Sequence, residues 1–350
     1  MTSFGVPRTA TRTARDPLGG IGVLQLMCWQ LVLIAVALAL DEGWPTIAAV
    51  TFAGVVVLAL TGVRRRGRWL YQWLVVSLRY RLRDRDRDLP GAGGTGWALL
   101  RLISPEAVGI TGTVFMISRA EGVTAVLQPA STVPAPQTLL PAHDEQALAF
   151  AVQVVHHAGM HRARPPRIWV AVQALRTVEL YRDADLAQAL GNTVRRVQRR
   201  LRRDGLPAKA LAEHEALGTL AALAHVNAGR GTVRERWRRW QSGPVEQAVF
   251  RLDGWAGLPP AVAAQLVHRL LAAAPQAAVT VAVTARRPPA GTEPEVSAML
   301  RIAATSAAAL DGAGEELARP AHELGVGMER LDGRHAWGVA ATLPLGVIRD

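Results

Sequence analysis

The pattern closest to a catalytic motif in this sequence is the Asp-x-Asp element Asp183-Ala184-Asp185. Many sugar-nucleotide transferases use such an element to hold a divalent cation, because hard cations prefer carboxylate oxygens. The same residues also suit a helix start, with Asp183 as the N-cap and Asp185 in the first turn, near the positive end of the helix dipole. We expect capping, since a transferase needs further acid, base and nucleotide-binding groups that the sequence does not supply.

Three neighbouring histidines, His156, His157 and His161, are the second candidate for metal chemistry. They fall where we predict the end of a helix from about Asp144 to Ala158, and histidines in a last helical turn suit the negative end of the helix dipole. A metal site needs a second group of ligands, and the sequence places none beside them. We therefore predict no metal site and no cofactor.

Two other patterns exclude common nucleotide-binding sites. The single lysine, Lys209, lies in Pro-Ala-Lys-Ala and not in the Gly-Lys-Ser/Thr that a P-loop requires. Gly91, Gly93 and Gly96 match a dinucleotide-binding fingerprint in spacing, but an alternating Arg/Asp run precedes them where an apolar strand is needed. We interpret that stretch as a linker. The single cysteine, Cys28, excludes an intramolecular disulfide.

Two apolar stretches near the N-terminus, Ile21 to Leu40 and Thr46 to Val63, contain no charged residue, and Asp41 to Pro45 separate them. A helix rises about 1.5 Å per residue, so about twenty residues cover the ~30 Å hydrocarbon core of a bilayer. We predict a transmembrane helical hairpin over residues 21–63, after a cytoplasmic tail of residues 1–20. A signal peptide and a buried hairpin of a soluble core are the alternatives.

Positive charge lies at both outer ends of the predicted hairpin, whereas its connecting loop carries only acids. Arg8, Arg12 and Arg15 precede the first stretch. The arginines that follow the second stretch are Arg64, Arg65, Arg66 and Arg68. Cytoplasmic loops carry the excess of arginine and lysine. We therefore predict a multi-pass plasma-membrane protein with both termini in the cytoplasm.

The segment after the hairpin, residues 64–96, is predicted to be a basic juxtamembrane helix followed by the glycine-rich linker. Trp69, Trp73 and Tyr80 recur there at helical spacing, which suits the lipid headgroup region or a partner more than the protein's own core. Gln25 and Gln30 are polar at membrane depth, where an unpaired amide is costly, so we expect both to face another helix. These five residues and the four arginines after the hairpin form the predicted partner and membrane interface.

A second basic surface is predicted on a helix from about Ala184 to Asp204, which Gly205 would end. Its arginines gather on one side, and leucine and valine gather on the other. They are Arg195, Arg196, Arg199, Arg200, Arg202 and Arg203. A solvated surface is one interpretation, and an acidic protein partner or the anionic inner leaflet is the other, with Arg195, Arg199 and Arg202 as contacts. Nucleic acid is not expected, because no stacking aromatic residues interleave the arginines.

Residues 97–350 alternate between strand and helix patterns, which predicts an α/β fold with a mixed sheet, the β-hairpins adding antiparallel pairs. The predicted elements besides those above are strands at 108–118, 122–127, 167–175, 233–241, 245–252, 277–286, 296–304, 326–331 and 337–343, and helices at 211–224, 259–274 and 306–322. The units 147–224 and 261–322 both run helix, strand, helix. The sequence pattern therefore leaves open whether these two units are an internal duplication.

In the order of its segments and in their local sequence, the chain resembles EccE of the type VII secretion systems of actinobacteria. The matching segments are Cys28-Trp29-Gln30-Leu31 at the first span, Arg68-Trp69-Leu70-Tyr71-Gln72-Trp73-Leu74 after the second, Gly122-Val123-Thr124-Ala125-Val126-Leu127, and Arg236-Trp237-Arg238 before the strand at 245–252. The resemblance covers the chain from about residue 20 onward. It rests on the occurrence of these four segments together and in this order.

The resemblance implies a non-enzymatic subunit at the periphery of a type VII secretion pore complex (ESX) in the plasma membrane. It further implies a cytoplasmic domain whose fold is similar to that of glycosyltransferases, and membrane partners that include an ATPase and a multi-span channel protein. The alternative is a membrane-anchored glycosyltransferase-like enzyme that uses Asp183 and Asp185 on a metal-bound sugar nucleotide.

Overall fold

A computed structural model of the chain describes residues 23–65, 68–89, 94–141, 149–160, 165–226, 232–287 and 293–348. The chain divides into two compact units, Met1–Leu82 and Arg83–Asp350. The first unit contains α1 (Val23–Ala39), α2 (Trp44–Gly62), the short strands β1 (Arg64–Arg65) and β2 (Arg68–Trp69), and α3 (Leu70–Leu82). Both predicted apolar helices therefore form, and the acidic residues Asp41 and Glu42 lie in the turn between them.

The second unit is α/β, as the sequence predicts. Its first elements are β3 (Asp86–Asp88), α4 (Thr95–Ile103), β4 (Val108–Ile110), β5 (Met116–Arg119), β6 (Gly122–Pro129), α5 (Pro136–Leu139), β7 (Phe150–Ala158), β8 (Arg167–Leu175), α6 (Asp183–Arg203), β9 (Ala208–Ala210) and α7 (Glu213–Leu223). They are followed by β10 (Thr232–Arg236), β11 (Arg239–Ser242), β12 (Val245–Asp253), α8 (Pro260–Ala273), β13 (Ala278–Arg286), β14 (Glu295–Ala304), α9 (Ala307–Glu323), β15 (Gly327–Arg330) and α10 (His335–Ala341).

One large sheet runs through the second unit in the order β3-β10-β11-β12-β14-β13-β7-β8-β6-β5-β4, with β15 beside β12 and β9 beside β6. Each strand pair that the structure describes is antiparallel. The predicted mixed sheet is therefore wrong. Strand–helix–strand patterns suggested parallel neighbours, but a third strand separates the two strands of each such unit: β14 lies between β12 and β13, which α8 connects.

The sheet is built from two copies of one topology. Residues 122–210 run β6-α5-β7-β8-α6-β9, and residues 245–330 run β12-α8-β13-β14-α9-β15, the order of a ferredoxin-like βαββαβ unit. Two further strands precede each copy, and one helix, α7 or α10, follows it. The copies meet where β7 pairs with β13, Val154 opposite Val283. The possible duplication thus exists in the fold, with different bounds from those in the sequence pattern.

Helices cover both faces of the sheet. On one face α6, α8 and α9 bury leucine and valine side chains such as Leu190, Leu270 and Leu317. On the other face α4, α7 and α10 contribute to a core around Leu100 and Leu220. Burying such a side chain stabilises a fold by roughly 1.5–3 kcal/mol, so these helices hold the sheet from both sides.

Two predicted elements have a different secondary structure. Residues 150–158 form the strand β7 and not the end of a helix, because their valines are buried on both faces in the middle of the sheet. The start of that predicted helix, residues 142–148, lies outside the described residues. Residues 335–341 form α10 and not a strand. This alanine-rich segment favours helix, and its residues Val339 and Ala340 are buried.

Two predicted strands are interrupted by turns. The segment 108–118 is divided into β4 and β5, and the segment 233–241 into β10 and β11, with Trp237 and Arg238 in the second turn. Within the Arg/Asp run interpreted as linker, β3 pairs with β10, and Nε of Arg234 lies 2.7 Å from Oδ1 of Asp86. Alternating charge here marks the exposed edge of a sheet.

Candidate functional site

Polar side chains connect α1 to α2 at one end of the helical hairpin. Nε2 of Gln25 donates to the carbonyl oxygen of Thr61 over 2.8 Å, and Nε1 of Trp29 donates to Oγ1 of Thr61 over 2.8 Å. Elsewhere along the interface, a Cβ on Gly54 would lie 2.7 Å from Cγ1 of Val32, so glycine allows the two backbones to approach closely. The amide of Gln25 thus faces a helix of its own chain, whereas Gln30 is exposed.

The outer surface of this hairpin is apolar. Leu38 is 72% exposed and Phe52 is 73% exposed, and other large aliphatic side chains of both helices are similarly open. Among the described residues, α2 is long and apolar enough to cross a membrane by length and composition, and the apolar helix Gln25–Ala39 is shorter. Such an apolar exterior has no counterpart on an ordinary solvated surface.

The predicted interface after α2 begins as a small hairpin and continues as a helix. The guanidinium of Arg64 lies over the ring of Trp69, 4.0 Å from its centroid, a cation–π contact. The backbone N–H of Trp69 donates to Oε1 of Gln72 over 3.2 Å. Trp73 and Tyr80 are half-buried on α3. Of the other predicted arginines, Arg65 and Arg68 are described in backbone only, and Arg66 lies outside the described residues.

The cationic ridge of α6 forms as predicted. All six of its arginines are exposed, while Leu190, Val194 and Leu201 on the opposite side are buried. The ridge consists of Arg195, Arg196, Arg199, Arg200, Arg202 and Arg203. Gly205 ends the helix with a φ of 76°, a backbone conformation that glycine adopts without strain. Six like charges on one exposed helix face attract acidic groups.

An apolar groove of about 790 Å³ lies on the α8 side of the sheet. Its floor contains Val154, Ile168 and Val283, one wall is residues 130–138, and the other wall is α8. No aspartate, glutamate, lysine or arginine is among the described residues that line it. Burial lowers the pKa of His156, in the floor, to about 4, so this histidine is uncharged at neutral pH. The groove therefore suits an apolar occupant.

The Asp-x-Asp element is held by neighbouring side chains. Arg176 forms an ion pair with Asp183, and Oγ of Ser118 donates to Oδ1 of Asp183 over 2.9 Å. Asp183 is the first residue of α6, whose N-cap is Arg182, so the predicted capping role of Asp183 is wrong. Its carboxylate instead lies in the first turn, where a negative charge is stabilising.

The histidines do not form a metal centre in the described part of the chain. No group of three or more His, Cys, Asp or Glu side chains there could hold a metal ion. His156 and His157 lie on the strand β7, and Nδ1 of His157 is 2.9 Å from Oγ1 of Thr280. His161 lies outside the described residues.

Sequence reasoning missed the groove. Its described lining residues are spread over six segments between Ala130 and Val296, and they meet only after the two halves of the sheet join. The one local signal is the set of prolines between Pro129 and Pro141, which interrupts regular structure before α5 begins at Pro136. Trp255, at the start of a short 3₁₀ turn, also lines the groove.

The family model of EccE, described as "Putative type VII ESX secretion system translocon", matches residues 162–252. No curated protein matches the chain. The matched segment, about a quarter of the chain, runs from the approach to β8 to the end of β12, and it includes the cationic ridge and the turn at Trp237. The resemblance to EccE predicted from the sequence is confirmed over these residues.

Proposed function

We propose that this chain is a membrane subunit of a type VII secretion complex. The observation that carries the proposal is the EccE match over residues 162–252, in a chain that also has an apolar helical hairpin. In this proposal α1 and α2 cross the plasma membrane together, and the α/β unit lies in the cytoplasm. The exposed leucine and phenylalanine side chains of the hairpin would then face lipid or other membrane helices.

The proposed topology places both termini in the cytoplasm. Asp41 and Glu42 lie in the turn between the helices, and Arg64 follows α2. Because arginine is retained on the cytoplasmic side, this asymmetry favours an external turn. The test uses external thiol labelling of intact cells, with Cys28→Ser as background. A cysteine at Gly43, which is exposed in the turn, should be labelled, and one at the exposed Glu315 of α9 should not. The reverse pattern would overturn the topology.

The contacts with the rest of the complex are proposed to lie along the hairpin and the segment 64–80. Gln30 is exposed on α1, where an unpaired amide in lipid is costly, so a partner helix would satisfy it. Trp69, Trp73 and Tyr80 would extend this surface to the lipid headgroups, with the arginines that follow α2. Such a subunit packs at the periphery of the pore, and its partners include the ATPase and the multi-span channel protein.

A non-enzymatic role is proposed for the α/β unit. A glycosyltransferase-like enzyme would need the carboxylates of Asp183 and Asp185 on a metal-bound sugar nucleotide. Asp183 is already paired with Arg176 and accepts a hydrogen bond from Ser118, which favours a structural role. The cationic ridge of α6 would add a second, weaker contact, either with an acidic partner or with the anionic inner leaflet.

A further inference from the structure

The turn between β10 and β11 concentrates arginine. Arg236 and Arg239 lie directly opposite each other on the two strands, and Arg238 is exposed in the turn between them. Like charges directly opposite each other across two strands are destabilising. Nη1 of Arg239 lies 2.7 Å from Oε2 of Glu246, whereas no carboxylate of the described residues pairs with Arg236 or Arg238. The turn therefore carries two positive charges without a described counterion.

A tryptophan lies in the middle of this turn. Trp237 is half-buried, and its ring packs on Gly333, where a Cβ would lie 2.6 Å from Cζ3 of the ring. The N–H of Gly333 also donates to the carbonyl oxygen of Trp237 over 2.6 Å. The ring is thus held in place while part of it stays open to solvent. A half-exposed tryptophan next to arginine is typical of a membrane–water interface.

The same turn contacts the segment that follows α3. Arg83 comes directly after Leu82, the last residue of α3. Its Nη2 donates to the carbonyl oxygen of Gly333 over 3.4 Å and forms an ion pair with Glu235. Residues 83–88, which include β3, alternate arginine and aspartate and are neutral overall. This segment therefore leaves the positive charge of the turn uncompensated.

We infer that the β10–β11 turn binds anionic lipid headgroups of the inner leaflet, with its arginines on the phosphates and Trp237 in the interfacial layer. The inference rests on the proposed function, in which the segment 64–80 lies at the headgroups. Three residues of chain from Tyr80 to Arg83 span at most about 11 Å. A charged membrane surface acts over a comparable distance, since the Debye length is about 8 Å in physiological salt. An acidic protein partner is the competing occupant, and the short connection favours lipid.

The test is photo-crosslinking of the full chain in nanodiscs of phosphatidylcholine and phosphatidylglycerol, with a photoactivatable group on the phosphatidylglycerol headgroup. We expect this probe to label the peptide that contains Trp237. It should spare the β11–β12 turn at Pro244, which is also exposed but lies at the other end of β11. The same group on the phosphatidylcholine headgroup should label the β10–β11 turn at least about fivefold less. High salt should lower the labelling, because it screens the attraction.

Charge variants show whether the arginines carry the contact. Arg238→Gln should lower the labelling of the β10–β11 turn about fivefold, because one arginine near an anionic membrane surface contributes about that factor to binding. Arg238→Lys keeps the charge and should keep the labelling within about twofold. Arg319→Gln, at an exposed position of α9, is the matched control and should leave the labelling unchanged.

A second probe, on the lipid acyl chain, separates this inference from the proposed function. Labelling of α1 and α2 by the acyl-chain probe shows that the helical hairpin is in the bilayer. If α1 and α2 are labelled but the two headgroup probes label the β10–β11 turn equally, or neither labels it, the inference is overturned and the proposed function stands. Loss of the headgroup labelling when the chain is part of its native complex would assign the turn to a protein partner and also overturn the inference. Absence of acyl-chain labelling of α1 and α2 would overturn both.

Discussion

The side-chain amide of Gln25 donates a hydrogen bond to the backbone carbonyl of Thr61, and the two atoms are 2.8 Å apart. Gln25 is 6% exposed, and the hydroxyl of Thr61 also accepts from Trp29. A polar residue of this apolar hairpin thus joins α1 to α2, and Gln30, five residues further along, is exposed. The two glutamines therefore have different roles, although the sequence suggested one role for both.

Gln25→Leu should lower the free energy of unfolding of the hairpin by about 0.6–2 kcal/mol, the range measured for interhelical hydrogen bonds in membranes. Unfolding of the full chain in mixed micelles at increasing SDS fractions measures this change. Gln30→Leu is the matched control, because its amide makes no contact within the described hairpin that would be lost. Equal destabilisation by both variants would mean that the Gln25 bond does not hold the helices together.

The triple variant Gln30→Leu, Trp69→Ala and Trp73→Ala should release the chain from its complex, because two large anchors and one interhelical hydrogen bond are then lost. Co-purification in mild detergent measures the release. Membrane fractionation is the control that checks whether the variant still inserts into the membrane. Trp44→Ala, at the opposite end of α2 and 78% exposed, should have no such effect. A triple variant that still co-purifies at the wild-type level would mean that the docking surface lies on the α/β unit.

Arg301→Met should stabilise the α/β unit by about 1 kcal/mol or more. Arg301 is 1% exposed, its Nη1 donates to Oε1 of Gln247 over 3.3 Å, and no described group accepts from its Nε and Nη2. Burial lowers the pKa of this guanidinium to about 9, so it remains charged at neutral pH. Chemical denaturation measures the change, with the exposed Arg319→Met as control. If the variant instead lowered the free energy of unfolding by several kcal/mol, the Arg301 guanidinium would have stabilising contacts in the folded protein.

His335→Asn should make unfolding less sensitive to acid. Burial, with a smaller effect of Arg330, lowers the pKa of His335 to about 3, whereas an unfolded histidine titrates near 6.5. The stability that the neutral ring contributes is complete above pH ~6.5 and is lost as pH falls toward 3, by up to about 1.4 kcal/mol per pH unit. Asparagine keeps an acceptor for the N–H of Val249, which lies 3.4 Å from Nδ1. His322→Asn, at an exposed position of α9, is the matched control substitution.

Local pattern predicted much of this fold because most elements carry their own signals. Proline at the start of α8, glycine after α6 and the apolar run of β8 are recognised from neighbours in sequence, and these elements form. The strand β7 lies in the segment for which the sequence predicts a helix from about Asp144 to Ala158. Its central position in the sheet, between β8 and β13, determines that this segment is a strand. Tertiary context there overrides local preference.

Contacts between distant residues could not be predicted in this way. Gln153 donates to the carbonyl oxygen of Ala341 over 2.8 Å, and the N–H of Val347 donates to Oε1 of Gln173 over 2.7 Å, so polar residues of central strands bind the C-terminal segment. The sequence shows them as isolated amides in apolar runs. The groove depends in the same way on the meeting of the two halves of the sheet.

The most direct test of the central claim is purification of the full chain from its native membrane in mild detergent, followed by identification of the proteins bound at stoichiometric amounts. We predict an ATPase and a multi-span membrane channel protein of a type VII secretion complex, both retained by the chain and both lost from a variant that lacks residues 21–63. Purification of the chain alone, together with metal-dependent binding of a sugar nucleotide by the same preparation, would contradict the account and favour the enzyme.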